Sequence, residues 1–168
     1  MRLLPALLLA AAAVGCAASG AVPAPFPRPG PGPTAPSAVP PVPGEYRSAV
    51  IGTALSLRGI PYRNGGIDPS GFDCSGFVAY VFGQQGFPVP RTVLEQYQLG
   101  QSVEAGLLSP GDLVFFSTIA PGPSHVGIAV SSTEFVHAPS TAGVVRVEAL
   151  TAPYWVSRFV GGKRLFRP

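Results

Sequence analysis

A proline-rich stretch near the N-terminus divides the sequence into two unlike parts. Ten prolines fall between residues 23 and 43, among alanine, glycine, valine and serine. Such a segment offers few backbone donors and little apolar side-chain surface, so we expect residues 17–44 to be a disordered, passive tether. Extended at about 3.1 Å per residue, it would reach on the order of 80 Å. The fold must therefore be built from residues 45–168, which suffice for one domain.

The sixteen residues that precede the tether predict export. Met1 and Arg2 are followed by a short apolar run that ends in Ala-Val-Gly-Cys at Cys16. The run is short for a membrane span of roughly 30 Å but typical of a signal peptide, residues 1–16. Its end resembles the lipobox of bacterial lipoproteins, in which cleavage leaves an acylated cysteine. Ordinary secretory cleavage near residues 18–21, with loss of Cys16, is the alternative.

The residue after Cys16 indicates which membrane such an anchor would enter. Ala17 stands where aspartate would resemble the inner-membrane signal. The expected location is therefore the outer membrane, with the domain facing the periplasm.

Charge and cysteine content narrow the function of residues 45–168. Nine basic residues stand against eight acidic ones, with no run of either sign. We therefore expect no nucleic-acid partner, and we expect a monomer. Cys74 is the single cysteine of this part, so there is no disulfide framework. It is either a buried apolar residue or a reactive thiol.

The hydrophobic pattern changes along the domain from helical to strand-like. Helices are predicted at 45–58, from about residue 73 to Gly86, and within 92–99, from apolar spacing and turn residues. Strands are predicted at 112–116, 125–130, 133–137, 144–147 and 160–166. Helices followed by consecutive strands indicate an α+β fold with a mostly antiparallel sheet.

Cys74 and the two histidines form a possible nucleophile–base arrangement. A thiol attacks as the thiolate, and a helix N-terminus or a neighbouring imidazolium lowers its pKa. Cys74 is predicted at a helix start. His125 and His137, twelve residues apart, would lie on adjacent antiparallel strands, near one rim of the sheet. The nearer histidine would be the base and the farther one its orienter.

Each of these residues also has an ordinary structural interpretation. A lone cysteine at a helix start is commonly a small buried residue, and a strand histidine is commonly structural. The long spacings between the three match no compact zinc motif, so we expect no metal and no cofactor.

Six ordered blocks of sequence make a more specific case. The blocks are Gly59–Gly66, Phe72–Phe77, Pro90–Tyr97, Ser109–Phe116, His125–Ile128 and Phe135–Ala138. Together they resemble the NlpC/p60 family of cell-wall cysteine peptidases. The resemblance implies a papain-like α+β fold, with N-terminal helices packed on the sheet, and hydrolysis of amide bonds in peptidoglycan. It also implies that Cys74 is the nucleophile, His125 the general base and acid, and His137 the residue that holds His125.

Four further residues acquire expected roles from the resemblance. Tyr62 would hydrogen-bond the oxyanion or the substrate, with a backbone N–H at the helix start as a second donor. Asp73 and Ser75 would contact the free amine of the substrate, or else simply cap the helix. Arg91 would line the cleft, or else be an ordinary surface arginine. The proline-rich segment 118–124 before His125 is expected to shape one cleft wall.

The expected enzyme is a peptidoglycan endopeptidase that cuts stem peptides. The bond is either that between D-glutamate and diaminopimelate or a peptide cross-link. Two alternatives use the same fold: a relative that transfers acyl or amide groups, and a catalytically silent wall-binding lipoprotein. The sequence retains Cys74, His125 and His137, which argues against the silent form.

Overall fold

The structure, a computed structural model, describes residues 43–141 and 143–166. The predicted signal peptide, the Cys16 anchor and nearly all of the tether lie outside the described residues. Within the described part no helix combines the length and apolar character needed to span a membrane.

Short helices precede most of the strands. The helices are α1 (Pro43–Ser56), α2 (Cys74–Gln84), α3 (Val93–Tyr97) and α4 (Pro153–Val156), with a 3₁₀ turn at Ala105–Leu107. The strands are β1 (Ile67–Asp68), β2 (Gly71–Phe72), β3 (Gln101–Val103), β4 (Leu113–Phe116), β5 (His125–Ala129), β6 (Glu134–His137), β7 (Arg146–Ala149) and β8 (Phe159–Arg164). The predicted α+β class is confirmed.

The sheet has the order β3-β8-β4-β5-β6-β7, and each neighbouring pair of strands is antiparallel. The strands β1 and β2 form a separate small hairpin. Adjacent antiparallel strands need only short connections, so the chain order from β4 to β7 is also the spatial order. This order places β5 and β6, the two histidine strands, side by side.

Both faces of the large sheet are covered. On one face Leu113 and Phe115 pack with the buried side chains of α1 and α2. On the other face Val114 and Phe116 pack around Trp155. This explains why the Leu-Val-Phe-Phe run of β4 is continuously apolar instead of alternating, since a strand covered on both faces needs apolar residues at every position.

The predicted helices are confirmed, with shifts at their ends. Helix α1 begins at Pro43, two residues before the expected start. Proline suits the first position of a helix, because its missing N–H needs no partner there. Strand β7 lies at 146–149 instead of 144–147. Residues 145–148, Val-Arg-Val-Glu, alternate apolar and charged, but the adjacent Val144 extended the apolar run and drew the predicted start forward; Val144 forms only an isolated bridge with Pro61.

Candidate active site

Cys74 is the first residue of α2, and the preceding Asp73 caps the helix. The Asp73 carboxylate accepts a 2.7 Å hydrogen bond from the N–H of Gly76. The backbone N–H groups of Val126, Ser75 and Cys74 itself face the thiol closely enough to lower its pKa. Val126 is the residue after His125, so the helix start lies beside β5. A half-buried thiol thus lies where backbone dipoles converge.

A close approach of the Asn64–Gly65–Gly66 turn to α2 fixes the start of the helix. A Cβ added to Gly76 would lie 2.0 Å from the carbonyl oxygen of Gly66. No side chain can occupy that space without moving the backbone. The loop that carries Tyr62 can therefore lie against the helix that carries Cys74 only because residue 76 has no side chain.

The environment of the Cys74 thiol differs from the sequence expectation. Burial raises the pKa of Cys74, and the Asp73 carboxylate raises it further, while the three backbone N–H groups lower it. The helix start acts in the expected direction but is outweighed, because an apolar surrounding disfavours the thiolate. At neutral pH the thiol is protonated and needs a base to accept its proton.

His125 and His137 are buried and joined by a hydrogen bond. Nε2 of His125 lies 2.7 Å from Nδ1 of His137. The two strands can bring them together because Gly127 lies between them. A Cβ there would be 2.6 Å from the Phe135 ring and 3.1 Å from Cβ of His137. The predicted pairing of the histidine strands is observed.

The histidine pair is electrically neutral at neutral pH. Burial lowers the pKa of His125 to about 4. The pKa of His137 is also lowered, by burial, by His125 and by Arg146. A neutral imidazole keeps one nitrogen lone pair and can therefore accept a proton. Since Nε2 of His125 is engaged with His137, Nδ1 is the nitrogen left for this purpose. The hydrogen bonds of the described residues include none between His125 and the Cys74 sulfur; such contacts are often open without substrate.

A carboxylate and an indole ring extend the histidine pair beyond what the sequence predicted. Oε1 of Glu148 lies 3.6 Å from Nε2 of His137 and pairs with Arg146. The indole N–H of Trp155 donates to Oε2 of Glu148. The Trp155 ring also stacks on His125, at 5.7 Å between centroids and 21° between planes. Arg146 and Glu148 are two apart in one strand, a spacing that places them on one face, but the misplaced strand concealed it.

The polar residues around Cys74 form a second cluster. Arg91 donates to both carboxylate oxygens of Asp73 and, at 2.8 Å, to Oγ of Ser75. The pKa of Tyr62 is raised by burial, then by Cys74 and Asp73, and lowered by Arg91, so its hydroxyl shares this surrounding. Asp73 caps the helix, as the structural alternative foresaw. Arg91 is not an isolated surface residue.

A buried amide holds this cluster in place. Nε2 of Gln96 donates to the carbonyl oxygens of Ser75, at 3.0 Å, and Pro90, at 2.7 Å. Gln96 itself is fully buried in α3. It therefore ties the segment before Arg91 to the start of α2. The sequence did not predict this role for Gln96, since a glutamine in a short helix gives no signal of burial.

The surface beside His125 is a shallow depression. It is lined by Thr118, Ile119, His125, Pro139, Ser140, Thr141, Tyr154 and Trp155. The first two belong to the proline-rich segment that was expected to shape a cleft wall. The hydroxyl of Ser124 accepts hydrogen bonds from the N–H groups of Thr118 and Ile119, which closes that loop on itself. The exposed side chain of Ile119 gives this wall an apolar tip.

A more apolar pocket of the described residues is separate from the site. It is lined in part by Leu108, Leu150, Val156 and Phe159, and it contains no titratable side chain. In the part of the chain that the structure describes, no group of three or more His, Cys, Asp or Glu residues is arranged to hold a metal ion.

Comparison with known proteins assigns the chain and its fold to a family. The model of the NlpC/P60 family matches residues 59–164. The chain is 37% identical over 122 residues to the murein DD-endopeptidase MepS/murein LD-carboxypeptidase of Escherichia coli K12, covering 72% of this chain and 64% of that protein. It is 41% identical over 118 residues to the gamma-DL-glutamyl hydrolase of Bacillus subtilis, covering 68% of this chain and 28% of that protein.

A solved structure agrees with these relatives. The crystal structure of an NlpC/P60 family protein from Bacillus cereus superposes with a TM-score of 0.67 at 28% identity, covering 72% of this chain and 40% of that one. The chain spans less than two thirds of the length of each of these three proteins. The family match spans β1 to β8 together with Cys74 and both histidines, and the papain-like α+β fold is shared. The chain belongs to the NlpC/P60 family.

Proposed function

We propose that this protein is a cysteine-type hydrolase that cuts amide bonds in the stem peptides of peptidoglycan. The observation that carries the proposal is the arrangement of three side chains. Cys74 begins a helix and contacts the backbone beside His125, and His125 is hydrogen-bonded to His137. A nucleophile, a base and a residue that orients the base are the elements of acyl-transfer catalysis.

The reaction follows from the protonation states. Nδ1 of neutral His125 accepts the thiol proton as the Cys74 sulfur attacks the carbonyl carbon. Backbone N–H groups at the start of α2, with the Tyr62 hydroxyl, donate to the oxyanion that forms. The amide C–N bond then breaks, the leaving amine takes the proton from His125, and a thioester remains on Cys74. Water, deprotonated by the same nitrogen, hydrolyses the thioester and regenerates the thiol.

The cluster around Asp73 is proposed to bind substrate. Asp73 and Ser75 flank the nucleophile, and their charge and hydroxyl suit the free amine of a stem peptide. Arg91 neutralises Asp73 in the absence of substrate, so a substrate amine would compete with the guanidinium for the carboxylate. The cluster is therefore proposed to govern substrate affinity more than the chemical step.

The names of the relatives frame two possible bonds. One relative is a murein DD-endopeptidase and LD-carboxypeptidase, and another is a gamma-DL-glutamyl hydrolase. These names parallel the two bonds expected from the sequence, a cross-link and the D-glutamate–diaminopimelate bond. Digestion of purified peptidoglycan, with the released fragments identified by mass, distinguishes them. Cys74→Ser should fold normally and release no fragments; unchanged hydrolysis by this variant would refute the mechanism.

The two other candidates on this fold give different results in the same digest. An acyl- or amide-transferring relative would attach an added amine to the product instead of water. A silent wall-binding protein would sediment with peptidoglycan and release nothing. Retention of the nucleophile and both histidines favours the hydrolase over the silent form.

We further propose that residues 1–16 direct export and that Cys16 anchors the mature protein in the outer membrane, facing the periplasm. Two or three acyl chains on one cysteine would bind stably, at about 0.8 kcal/mol for each buried methylene, whereas one chain would be marginal. Residues 17–44 would then let a monomeric domain, residues 45–168, reach the wall. Wild type should fractionate with membranes and incorporate labelled palmitate, and Cys16→Ser should do neither. Soluble wild type with an N-terminus beyond residue 16 would indicate plain secretion.

A further inference from the structure

One nitrogen of the histidine pair lacks a hydrogen-bond partner. Among the described residues two buried side-chain atoms are unpaired, Oε1 of Gln96 and Nε2 of His137. The nearest acidic oxygen to the latter is Oε1 of Glu148, at 3.6 Å. This distance is just beyond a hydrogen bond, and His137 is completely buried. Buried polar groups in native proteins are nearly always paired, so an unpaired nitrogen at this position needs an explanation.

The Glu148 carboxylate is held facing that nitrogen. Arg146 pairs with Oε1, and the indole N–H of Trp155 donates to Oε2. The same indole ring stacks on His125 and lies edge-on to His137. The carboxylate is therefore positioned by groups that also contact the histidines.

The hydrogen bond between the histidines permits two tautomer arrangements. In the first, Nε2–H of His125 donates to Nδ1 of His137, Nε2 of His137 carries a proton, and Nδ1 of His125 is bare. In the second, every proton is shifted, so that Nδ1 of His125 carries a proton and a bare Nε2 of His137 faces Glu148. An ionised carboxylate only accepts hydrogen bonds, so it favours the first arrangement and opposes the second.

We propose that Glu148 is a positioning residue that selects the tautomers of the histidine pair. By accepting from Nε2–H of His137, it leaves Nδ1 of His125 free to take the Cys74 proton. The role in catalysis rests on the proposed hydrolase function, whereas the tautomers themselves are a property of the free protein. The negative carboxylate also stabilises the positive charge that the pair acquires when His125 is protonated.

The charged groups that face the pair both lie on β7. The Glu148 carboxylate lies 3.6 Å from Nε2 of His137, and Arg146 lowers the pKa of His137. The remaining neighbours on β4, β6 and α4 are the uncharged aromatic rings of Phe116, Phe135 and Trp155. Removal of the carboxylate would therefore leave Arg146 unopposed beside His137.

Long-range ¹H–¹⁵N NMR of the free protein reads the tautomers directly. We expect wild type to show a protonated Nε2 and a bare Nδ1 on both rings at neutral pH. In Glu148→Leu, tautomers with a proton on Nδ1 should become populated, and kcat should fall roughly tenfold to a hundredfold with KM nearly unchanged, as for other partners that orient a functional histidine. Glu148→Gln keeps an acceptor oxygen without the charge, so its kcat should fall less than that of Glu148→Leu.

Glu134→Gln is the matched control, because Glu134 is an exposed carboxylate on the neighbouring strand β6. It should leave both tautomers and kcat as in wild type. A proton on Nδ1 of His137 in wild type would overturn the proposal, as would wild-type tautomers and kcat in Glu148→Leu. If Glu148→Leu does not fold, Glu148→Gln decides by the same two readouts. Failure of wild type to cut peptidoglycan would contradict the proposed function, while the NMR spectra would still test Glu148.

Discussion

The two sides of the candidate site differ in the polarity and burial of their side chains. On the cysteine side, polar residues cluster around a half-buried helix start, and Arg91 neutralises Asp73. On the histidine side, two fully or nearly buried rings lie among Phe116, Phe135 and Trp155, and a carboxylate stands behind them. The first side can exchange its partners with a charged substrate. The second is almost entirely buried, so burial and the neighbouring side chains set the protonation of the two rings.

The largest effect should come from the proposed base, on the histidine side. His125→Ala removes the nitrogen that we propose takes the Cys74 proton, and kcat should fall about a thousandfold or more. The measurement is release of stem-peptide fragments, with circular dichroism as a check on folding. Retention of most activity would mean that another group deprotonates the thiol and that the two sides are not coupled as described.

The next effect tests whether His137 acts by holding His125 through a hydrogen bond. His137→Asn can still accept from Nε2–H of His125, so it should lose about tenfold in kcat. His137→Ala cannot, and should lose about a hundredfold. Equal losses would indicate that His137 does more than orient its partner, for instance by sharing the proton.

A smaller effect is expected on the cysteine side. Arg91→Met frees Asp73 and Ser75 from their guanidinium partner, which should change KM by about tenfold and kcat by less. Arg63→Met is the control, because Arg63 pairs with Asp68 across a half-exposed contact and touches neither Asp73 nor Ser75. A pure loss of kcat in Arg91→Met would assign the arginine to the chemical step and blur the division between the two sides.

The last effect is on stability and concerns the buried histidines alone. Their pKa values are lowered in the folded state, so below about pH 6.5 the two histidines bind more protons in the unfolded chain than in the folded chain. The free energy of unfolding should therefore fall as pH drops from about 6.5 to 5, by up to about 1.4 kcal/mol per pH unit for each histidine. Denaturant titrations of wild type and His137→Gln should show a smaller slope in the variant. Identical slopes would mean that His137 is accessible to protons.

The sequence predicted the cysteine side better than the support behind the histidines. An Asp before an apolar helical pattern identifies a capped helix start, and such local signals placed Cys74. The twelve-residue spacing similarly paired His125 with His137. The sequence did not predict that Glu148 and Trp155 contact the histidines, because these residues lie on elements with weak local signals, β7 and the four-residue α4. Their contacts with the pair depend on register across three strands, which tertiary packing decides.

The close contacts at two glycines have a consequence for how this site can diversify. Any side chain at Gly76 would strike Gly66, and any at Gly127 would strike the ring of Phe135. Neither position offers a gradual path of substitution, because even alanine displaces backbone or a buried ring. The loop 118–124 is different: it closes through its own Ser124 and carries an exposed Ile119. A library aimed at new substrates should hold both glycines constant and randomise the exposed positions of that loop, because we expect such variants to change the surface beside His125 and leave the arrangement of Cys74, His125 and His137 intact.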